Sequence, residues 1–359
     1  MMGGLRCGKT SVLVAMFDQM MNGWINQFFS VFDNTSYDMR EKSLSAKSLE
    51  LQYILETFRD NTFLLDIGPS QFIWKYILKL LIPGTNINMN LDFLDVPGSF
   101  FDIGLHYEEM IRLVSESDVY IINVDTPYLM ADGVSTALFR AVNRLNEIYS
   151  LLTNLPENKA RMVIIAPVKS EKWMKENRID EVVERIELAY AETINVLKSY
   201  SKMSLCIIPV QTIGNILFSE MKDAYFFNGC GNENRCCKIS DNVVRMWNGE
   251  YYCVNAEDQI YPDNNALITN TSIARPFSWF CINGEMRYSD DIYQPYNCEQ
   301  LTLHILDFWL QKCHNFFVNW VMGPPRDFIE IEKTFCAIKN AGLLKENVEG
   351  IKYLKKTYK

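Results

Sequence analysis

Gly3-Gly4-Leu5-Arg6-Cys7-Gly8-Lys9-Thr10 fits the pattern G-x-x-x-x-G-K-[ST]. Glycines at that spacing let a backbone wrap around an anion with its N–H groups turned inward. Lys9 would then reach the β- and γ-phosphates of a nucleotide, and the Thr10 hydroxyl would be offered to Mg²⁺. Context separates such a loop from a glycine turn that fits by accident. Residues 11–21 contain neither Gly nor Pro and read as a helix, opening at Ser11, whose amino end faces the same anion.

Three further loops carry residues suited to the same ligand. Asp95-Val96-Pro97-Gly98 follows an apolar strand at 90–94. An acid there holds a Mg²⁺ water, and Gly98 lets its backbone N–H approach a γ-phosphate. A plain Pro-Gly turn is the alternative. The other two loops are Val168-Lys169-Ser170-Glu171 and Gln211-Thr212-Ile213-Gly214.

The elements that must position these loops alternate. Residues 76–82 and 90–94 read as two strands joined by a turn at 83–86, a hairpin. A short helix follows at 107–115, then a buried strand at 119–124 ending on Asp125. Leu138, Ala141, Val142, Leu145, Ile148, Tyr149 and Leu152 repeat at helical spacing, and Ile179, Val182, Val183, Ile186, Ala189 and Tyr190 do so again. Buried strands at 162–166 and 205–210 complete the series. Strand–helix alternation predicts an α/β fold with a mostly parallel sheet and helices on both faces, its ligand at the carboxyl ends of the strands.

This order of motifs resembles the P-loop GTPases of the translation-factor-related (TRAFAC) class, and within it the bacterial double-GTPase domain associated with conflict and defence systems. The residues that carry the resemblance are the Walker A loop of residues 3–10, the run Asp92-Phe93-Leu94-Asp95-Val96-Pro97-Gly98, and Val124-Asp125-Thr126-Pro127-Tyr128-Leu129-Met130. Ala166-Pro167-Val168-Lys169-Ser170-Glu171-Lys172 and residues 209–214 add to it. The resemblance spans about residues 1–220. It implies a three-layer P-loop sandwich, GTP/GDP and Mg²⁺ as ligands, a protein effector or regulator, and switching between nucleotide states.

One motif departs from the family pattern N/T-K-x-D. Val168 replaces its polar first residue, Lys169 is kept, and Glu171 stands in place of Asp. A carboxylate can accept from two guanine N–H groups that adenine does not present in that arrangement. The extra methylene shifts the geometry, so ATP stays open, as does a solvated Lys/Glu loop. Thr212 belongs to the base-side loop that follows.

Hydrolysis is expected to be slow. Ser99, Phe100 and Phe101 follow Gly98, and none is suited to position a water; His106 and Glu108 read as surface or core residues. Arg6 could offset charge on the γ-phosphate from the same chain, as a catalytic partner to Lys9, or simply face solvent. The switch segment before Tyr76 is long, with an inserted helix over 45–58. Thr62, Thr35 and Ser70 are candidate Mg²⁺ or γ-phosphate contacts beside Thr10 and Asp95, with Thr62 first among them, although each taken alone reads as an ordinary turn residue.

A buried strand should precede such a loop, yet only Met1 and Met2 stand before Gly3. The expectation drawn is that the true start lies upstream or that the chain is truncated. Beyond residue 221 the alternation breaks. Residues 222–298 read as a β-rich insertion, rich in Asn, Tyr, Trp and Cys. Cys230, Cys236, Cys237, Cys253 and Cys281 there lack the C-x-x-C spacing of a zinc site and read as thiols. Residues 299–322 read as the last helix of the domain at 1–221, and 323–359 as a helical tail, solvated over 345–359.

The bulk composition bounds the partners. The chain has 359 residues, a net charge of −9, 48% hydrophobic and 22% charged residues. An acidic chain argues against nucleic acid and anionic membrane. Scattered cysteines behind no signal peptide argue for a reducing cytoplasm. The sequence thus predicts a Mg²⁺-dependent GTP-binding switch with slow hydrolysis, the alternatives being a P-loop ATPase, a nucleotide kinase or a nucleotide-independent scaffold.

Overall fold

The computed structural model describes residues 1–4, 7–33, 54–56, 59, 73–101, 106–131, 134, 136–156, 159–214, 216–227, 234–240, 243–246, 251–254, 260–262, 281–288, 292–317 and 324–357. Contacts divide the chain into two units. One comprises Met1–Met130, Ser135–Leu217 and Tyr288–Lys359; the other comprises Ala131–Val134 and Phe218–Arg287.

In the first unit, α1 (Lys9–Asn22) leads through a 3-10 turn (Trp24–Gln27) into β1 (Ser30–Asp33). β2 (Trp74–Leu81) and β3 (Asn88–Asp95) form the expected hairpin, antiparallel and in register from Trp74↔Asp95 to Leu81↔Asn88. Alternation explains β2: Tyr76, Leu78 and Leu80 point inward while Lys75 is exposed. Burying each of those inward side chains stabilises the fold by about 1.5–3 kcal/mol. After a 3-10 turn at Gly98–Phe101 come α2 (Tyr107–Glu116) and β4 (Val119–Asp125).

α3 (Thr126–Met130), α4 (Thr136–Val142) and α5 (Leu145–Thr153) precede β5 (Arg161–Val168), which is buried at every position. Such a strand needs cover on both faces, which is why it reads as an apolar run once past Arg161. α6 (Glu171–Lys175), α7 (Ile179–Ala189) and α8 (Ala191–Ser199) lead to β6 (Met203–Ile207). β4, β5 and β6 are parallel, with Val119↔Met162 and Arg161↔Met203 opening the two registers.

The second unit holds an antiparallel array: β7 (Ile216–Phe227), β8 (Asn234–Ser240), β9 (Val243–Met246), β10 (Tyr251–Val254) and β11 (Ile260–Pro262). β12 (Cys281–Tyr288) lies beside β7, giving the order β11-β10-β9-β8-β7-β12. Cys236 and Cys237 sit on β8, opposite Met246 and Arg245.

The first unit closes with α9 (Cys298–Phe317), α10 (Arg326–Asn340) and β13 (Lys352–Lys355). α9 and α1 share one core, through Leu301, Leu306 and Leu310 on one and Leu13, Met16 and Met20 on the other. Gln19 ties their ends: its Oε1 accepts the Glu299 N–H at 3.1 Å, and its Nε2 donates to the Pro295 carbonyl at 2.9 Å. The result is a mixed α/β unit around a mostly parallel four-stranded sheet, β13-β6-β5-β4, beside the three-stranded β1-β2-β3. Met1 and Met2 stand between the two. The Met1 amine donates to the Leu94 carbonyl on β3, while Met2 exchanges backbone bonds with Ile121 and Asn123 on β4 at 2.8 Å each.

Three expectations are corrected. The single helix over 138–152 is two, because Asn143 turns its side chain away from the helix. Its Oδ1 accepts the Asp125 N–H at 2.7 Å, its Nδ2 donates to the Phe139 carbonyl, and Arg144 takes φ 52°. The strand over 205–210 runs from 203 to 207, though Ile208 and Val210 still donate to β5 carbonyls. The solvated helix over 345–359 is instead a loop and a strand. Asn347, Glu349 and Gly350 have positive φ, which breaks a helix, and β13 pairs antiparallel with the edge of β6. Most of the switch helix over 45–58 lies outside the described residues. Among the described residues no helix is long and apolar enough to cross a membrane.

Candidate functional site

The three predicted loops follow β3, β5 and β6, the end of β4 at Asp125 joins them, and polar side chains link neighbouring members of the row. Next to Met2 the chain turns through Gly3 at φ +146° and Gly8 at φ +89°. Gly8 is the cap of α1 in left-handed geometry, which a residue bearing Cβ adopts only at a cost. Its carbonyl accepts the Val12 N–H at 3.0 Å, so α1 starts with its free amides just behind the loop.

Lys9 is 7% exposed, and its ammonium is turned back into the loop. Nζ donates to the Gly3 carbonyl at 3.1 Å and the Gly4 carbonyl at 2.8 Å, with the Cys7 sulfur 3.9 Å away. Among the described residues no carboxylate lies within ion-pairing distance of it. A buried ammonium held by carbonyl dipoles and a thiol is charge without a counter-ion, an arrangement that favours an incoming anion. Burial pushes the Cys7 thiol up, against the lowering influence of Lys9.

Beside it, the Thr10 hydroxyl donates to Asp95 Oδ2 at 2.9 Å. Asp95 is 1% exposed, and its other oxygen, Oδ1, has no hydrogen-bond partner among the described residues. A hydroxyl and a carboxylate, hard oxygen donors with an orphaned lone pair, suit Mg²⁺ as a small oxygen-seeking cation. Gly98 opens the 3-10 turn three residues beyond Asp95, and Ser11 lies in the first turn of α1.

At the next strand ends, Lys169 at φ +56° donates through Nζ to Asp125 Oδ2, and Thr126 Oγ1 lies 3.0 Å from Ser170 Oγ. These bonds fasten the end of β4 to the end of β5. Glu171 fastens β5 to β6. Its Oε1 accepts from the Thr212 N–H at 3.0 Å, from the Thr212 hydroxyl at 3.4 Å and from the Ile213 N–H at 3.4 Å. Burial pushes the Glu171 carboxyl up, while those donors pull it down.

The structure therefore brings together Gly3, Gly4, Cys7, Gly8, Lys9, Thr10 and Asp95 around one loop, and Lys169, Glu171 and Thr212 along the neighbouring strand ends. Leu5, Arg6, Thr35, Thr62 and Ser70 lie outside the described residues. Sequence reasoning placed Asp125, Thr126 and Ser170 inside quoted motifs without giving any of them a role of its own, and passed over Asn143. Asp125 shared one signal with Asp95, a carboxylate ending an apolar strand; Asn143 is found only through its partners. Among the described residues no group of three His, Cys, Asp or Glu side chains is placed to hold a metal by itself. Comparison of the chain with protein-family models, curated proteins and solved structures gave no match.

Proposed function

We propose that this chain is a Mg²⁺-dependent P-loop protein of the TRAFAC GTPase kind, binding GTP in preference to ATP and acting as a switch with slow hydrolysis. The observation that carries the reading is Lys9: a buried ammonium held by two carbonyls and the Cys7 sulfur, with no carboxylate partner among the described residues, at the start of a 14-residue helix, beside a hydroxyl–carboxylate pair. In this reading Gly3 to Gly8, Lys9 and Ser11 hold the phosphates, with Arg6 beside them. Thr10, Asp95 and Thr62 hold Mg²⁺, whose chemistry is to neutralise phosphate charge. Lys169, Glu171 and Thr212 meet the base. The strand order β2-β3, Met2, β4, β5, β6 supports a P-loop sandwich, because it sets the loop at the middle of one row of strand ends.

Slow hydrolysis follows from what succeeds Gly98. Phe100 and Phe101 are buried, and the Phe100 ring stacks on His106 at 3.8 Å between centroids. Neither aromatic can orient water, so an isolated chain should turn over at about 10⁻⁴–10⁻² s⁻¹, the range of GTPases without a partner. Switching would come from loops held by γ-phosphate contacts and released on its loss, read out by a protein effector in the cytoplasm; a role in bacterial conflict systems rests on the family resemblance.

Equilibrium binding of labelled GTP and labelled ATP to the full chain, with and without Mg²⁺, tests the reading. Lys9→Ala should abolish binding without unfolding the protein. ATP preference would point to a P-loop ATPase, and no binding of either nucleotide to a scaffold.

A further inference from the structure

Lys339, Lys345 and Lys356 come from the last turn of α10, the loop after it and the residue that follows β13. They nevertheless line one cavity of about 530 Å³, together with Glu346 and Glu349. Cavities of roughly 300–1,000 Å³ are the size that takes small molecules. Asp307, buried on α9, holds two of the ammonium groups: Lys339 Nζ donates to its Oδ1 at 2.7 Å, and Lys356 Nζ lies 3.8 Å from its Oδ2. Lys356 donates also to Glu346, at 2.6 Å. The three lysine side chains remain 38%, 23% and 28% exposed, in chain order, so a ligand in the hollow can reach them.

Lys345 is the best positioned of the three. Its Nζ donates to the Tyr296 hydroxyl and to Asn297 Oδ1 at 3.1 Å each, and sits 4.2 Å from the centre of the Tyr296 ring. Its third donor goes to Glu349 Oε2 at 2.6 Å. Glu349 is a different kind of partner from Asp307. Its side chain is 47% exposed, and its backbone takes φ 52°, two residues after Asn347 at φ 54°. A glutamate in the left-handed region is strained, and such strain persists only where contacts impose it. An ion pair this exposed is weak and easily exchanged. We propose that the cavity binds a small polyanion carrying phosphoryl groups, which takes Lys345 from Glu349 and is held between Lys339, Lys345 and Lys356. With Glu349 turned out, three ammonium groups face one lining carboxylate, Glu346. Ammonium groups act on phosphoryl oxygens as point charges, which suits a compact, flexible polyanion better than a planar carboxylate. None of these residues belongs to the phosphate loop, so this is a second anion site.

Calorimetric titration of the full chain with inorganic pyrophosphate tests this. The phosphate loop is another place for that anion, so Lys9→Ala is titrated beside the wild type and serves as the background for the other substitutions. One-to-one binding should persist in Lys9→Ala. Lys345→Gln and Lys356→Gln should each weaken it by about tenfold or more, the worth of one hydrogen bond to a charged group. Glu349→Gln should tighten it by roughly threefold, because it removes the competitor of a weak, exposed pair. Thermal unfolding checks that each variant folds, and the Glu349→Gln gain stands even if a lysine variant does not. Loss of binding in a folded Lys9→Ala protein would assign the anion to the phosphate loop and overturn the proposal. Absence of saturable binding in the wild type, or an affinity unchanged by Glu349→Gln, would overturn it too. None of these results touches the nucleotide reading, which stands or falls on labelled GTP.

Discussion

Gly4 lies against the carbonyl of Val142 so closely that a β-carbon on Gly4 would sit 1.7 Å from that oxygen. Neither partner can yield alone: Val142 ends α4, and Asn143 next to it is bonded to the Asp125 N–H and the Phe139 carbonyl. Gly4→Ala should therefore displace the loop or the α4–α5 joint. The cost should be about 1–3 kcal/mol, in the range of overpacked cores. Chemical denaturation measures it, and a variant as stable as the wild type would show that the contact is not kept in solution.

Asp95 should separate stability from function. It is a nearly dry carboxylate with one hydrogen-bonded oxygen and one orphaned oxygen, a poor arrangement for folding alone. Asp95→Asn removes the buried charge and keeps the shape. Thermal unfolding should be unchanged or shifted upward, while the Mg²⁺ enhancement of labelled GTP binding should fall by tenfold or more. A large drop in melting temperature with Mg²⁺ dependence intact would reverse both roles.

What the sequence revealed and what it hid divide along physical lines. The glycine–lysine loop, Asp95 and the strands around them were legible because backbone conformation and burial constrain residue type locally. Gly8 must tolerate φ +89°, and β5 is apolar from Met162 to Val168 because it lies in mid-sheet. Asn143 was illegible: inside an apolar periodicity it looks like one more helix residue, and only its distant partner Asp125 shows why the helix breaks there. β13 was hidden for a similar reason. Residues 351–355 alternate too briefly to announce a strand, and their place is set by the open edge of β6, far off in sequence.

His304 gives a pH dependence with a definite sign. It is fully buried on α9, with Nε2 2.9 Å from the Lys345 carbonyl and Nδ1 2.6 Å from the Tyr353 hydroxyl. A carbonyl only accepts, so Nε2 carries the hydrogen and Nδ1 accepts from Tyr353. Burial lowers the imidazole to about 4, opposed by Asp307 and Glu346 and aided by Lys356. The unfolded chain takes up this proton near pH 6.5 and the folded one near 4. Stability is thus whole above about 6.5 and declines as pH falls toward 4.

From pH 7.5 to 5.0 the loss attributable to His304 should be about 2 kcal/mol. The buried carboxyls Glu171 and Glu299, both raised by burial, act in the opposite direction. The measurement is therefore the difference between wild type and His304→Gln in urea unfolding at the two pH values. Identical pH dependence in the two proteins would mean that the imidazole is solvated.

Alkylation should rank the described thiols by burial rather than by neighbouring charge. Cys336 is exposed on α10, whereas Cys7, Cys206 and Cys298 are buried and free. Lys9 close to Cys7 would by itself favour a thiolate, but burial raises the Cys7 thiol and keeps reagent out, and the same cause raises Cys206 and Cys298. Reagent can reach Cys7 only when the loop opens, so its labelling should track local opening while Cys336 reacts at once. Timed iodoacetamide labelling with peptide mass spectrometry should show Cys336 modified at least tenfold faster than Cys7, a ratio set by roughly 1.4 kcal/mol or more of opening free energy. Equal rates in the native protein would mean that the loop stands open, with Lys9 released from the Gly3 and Gly4 carbonyls.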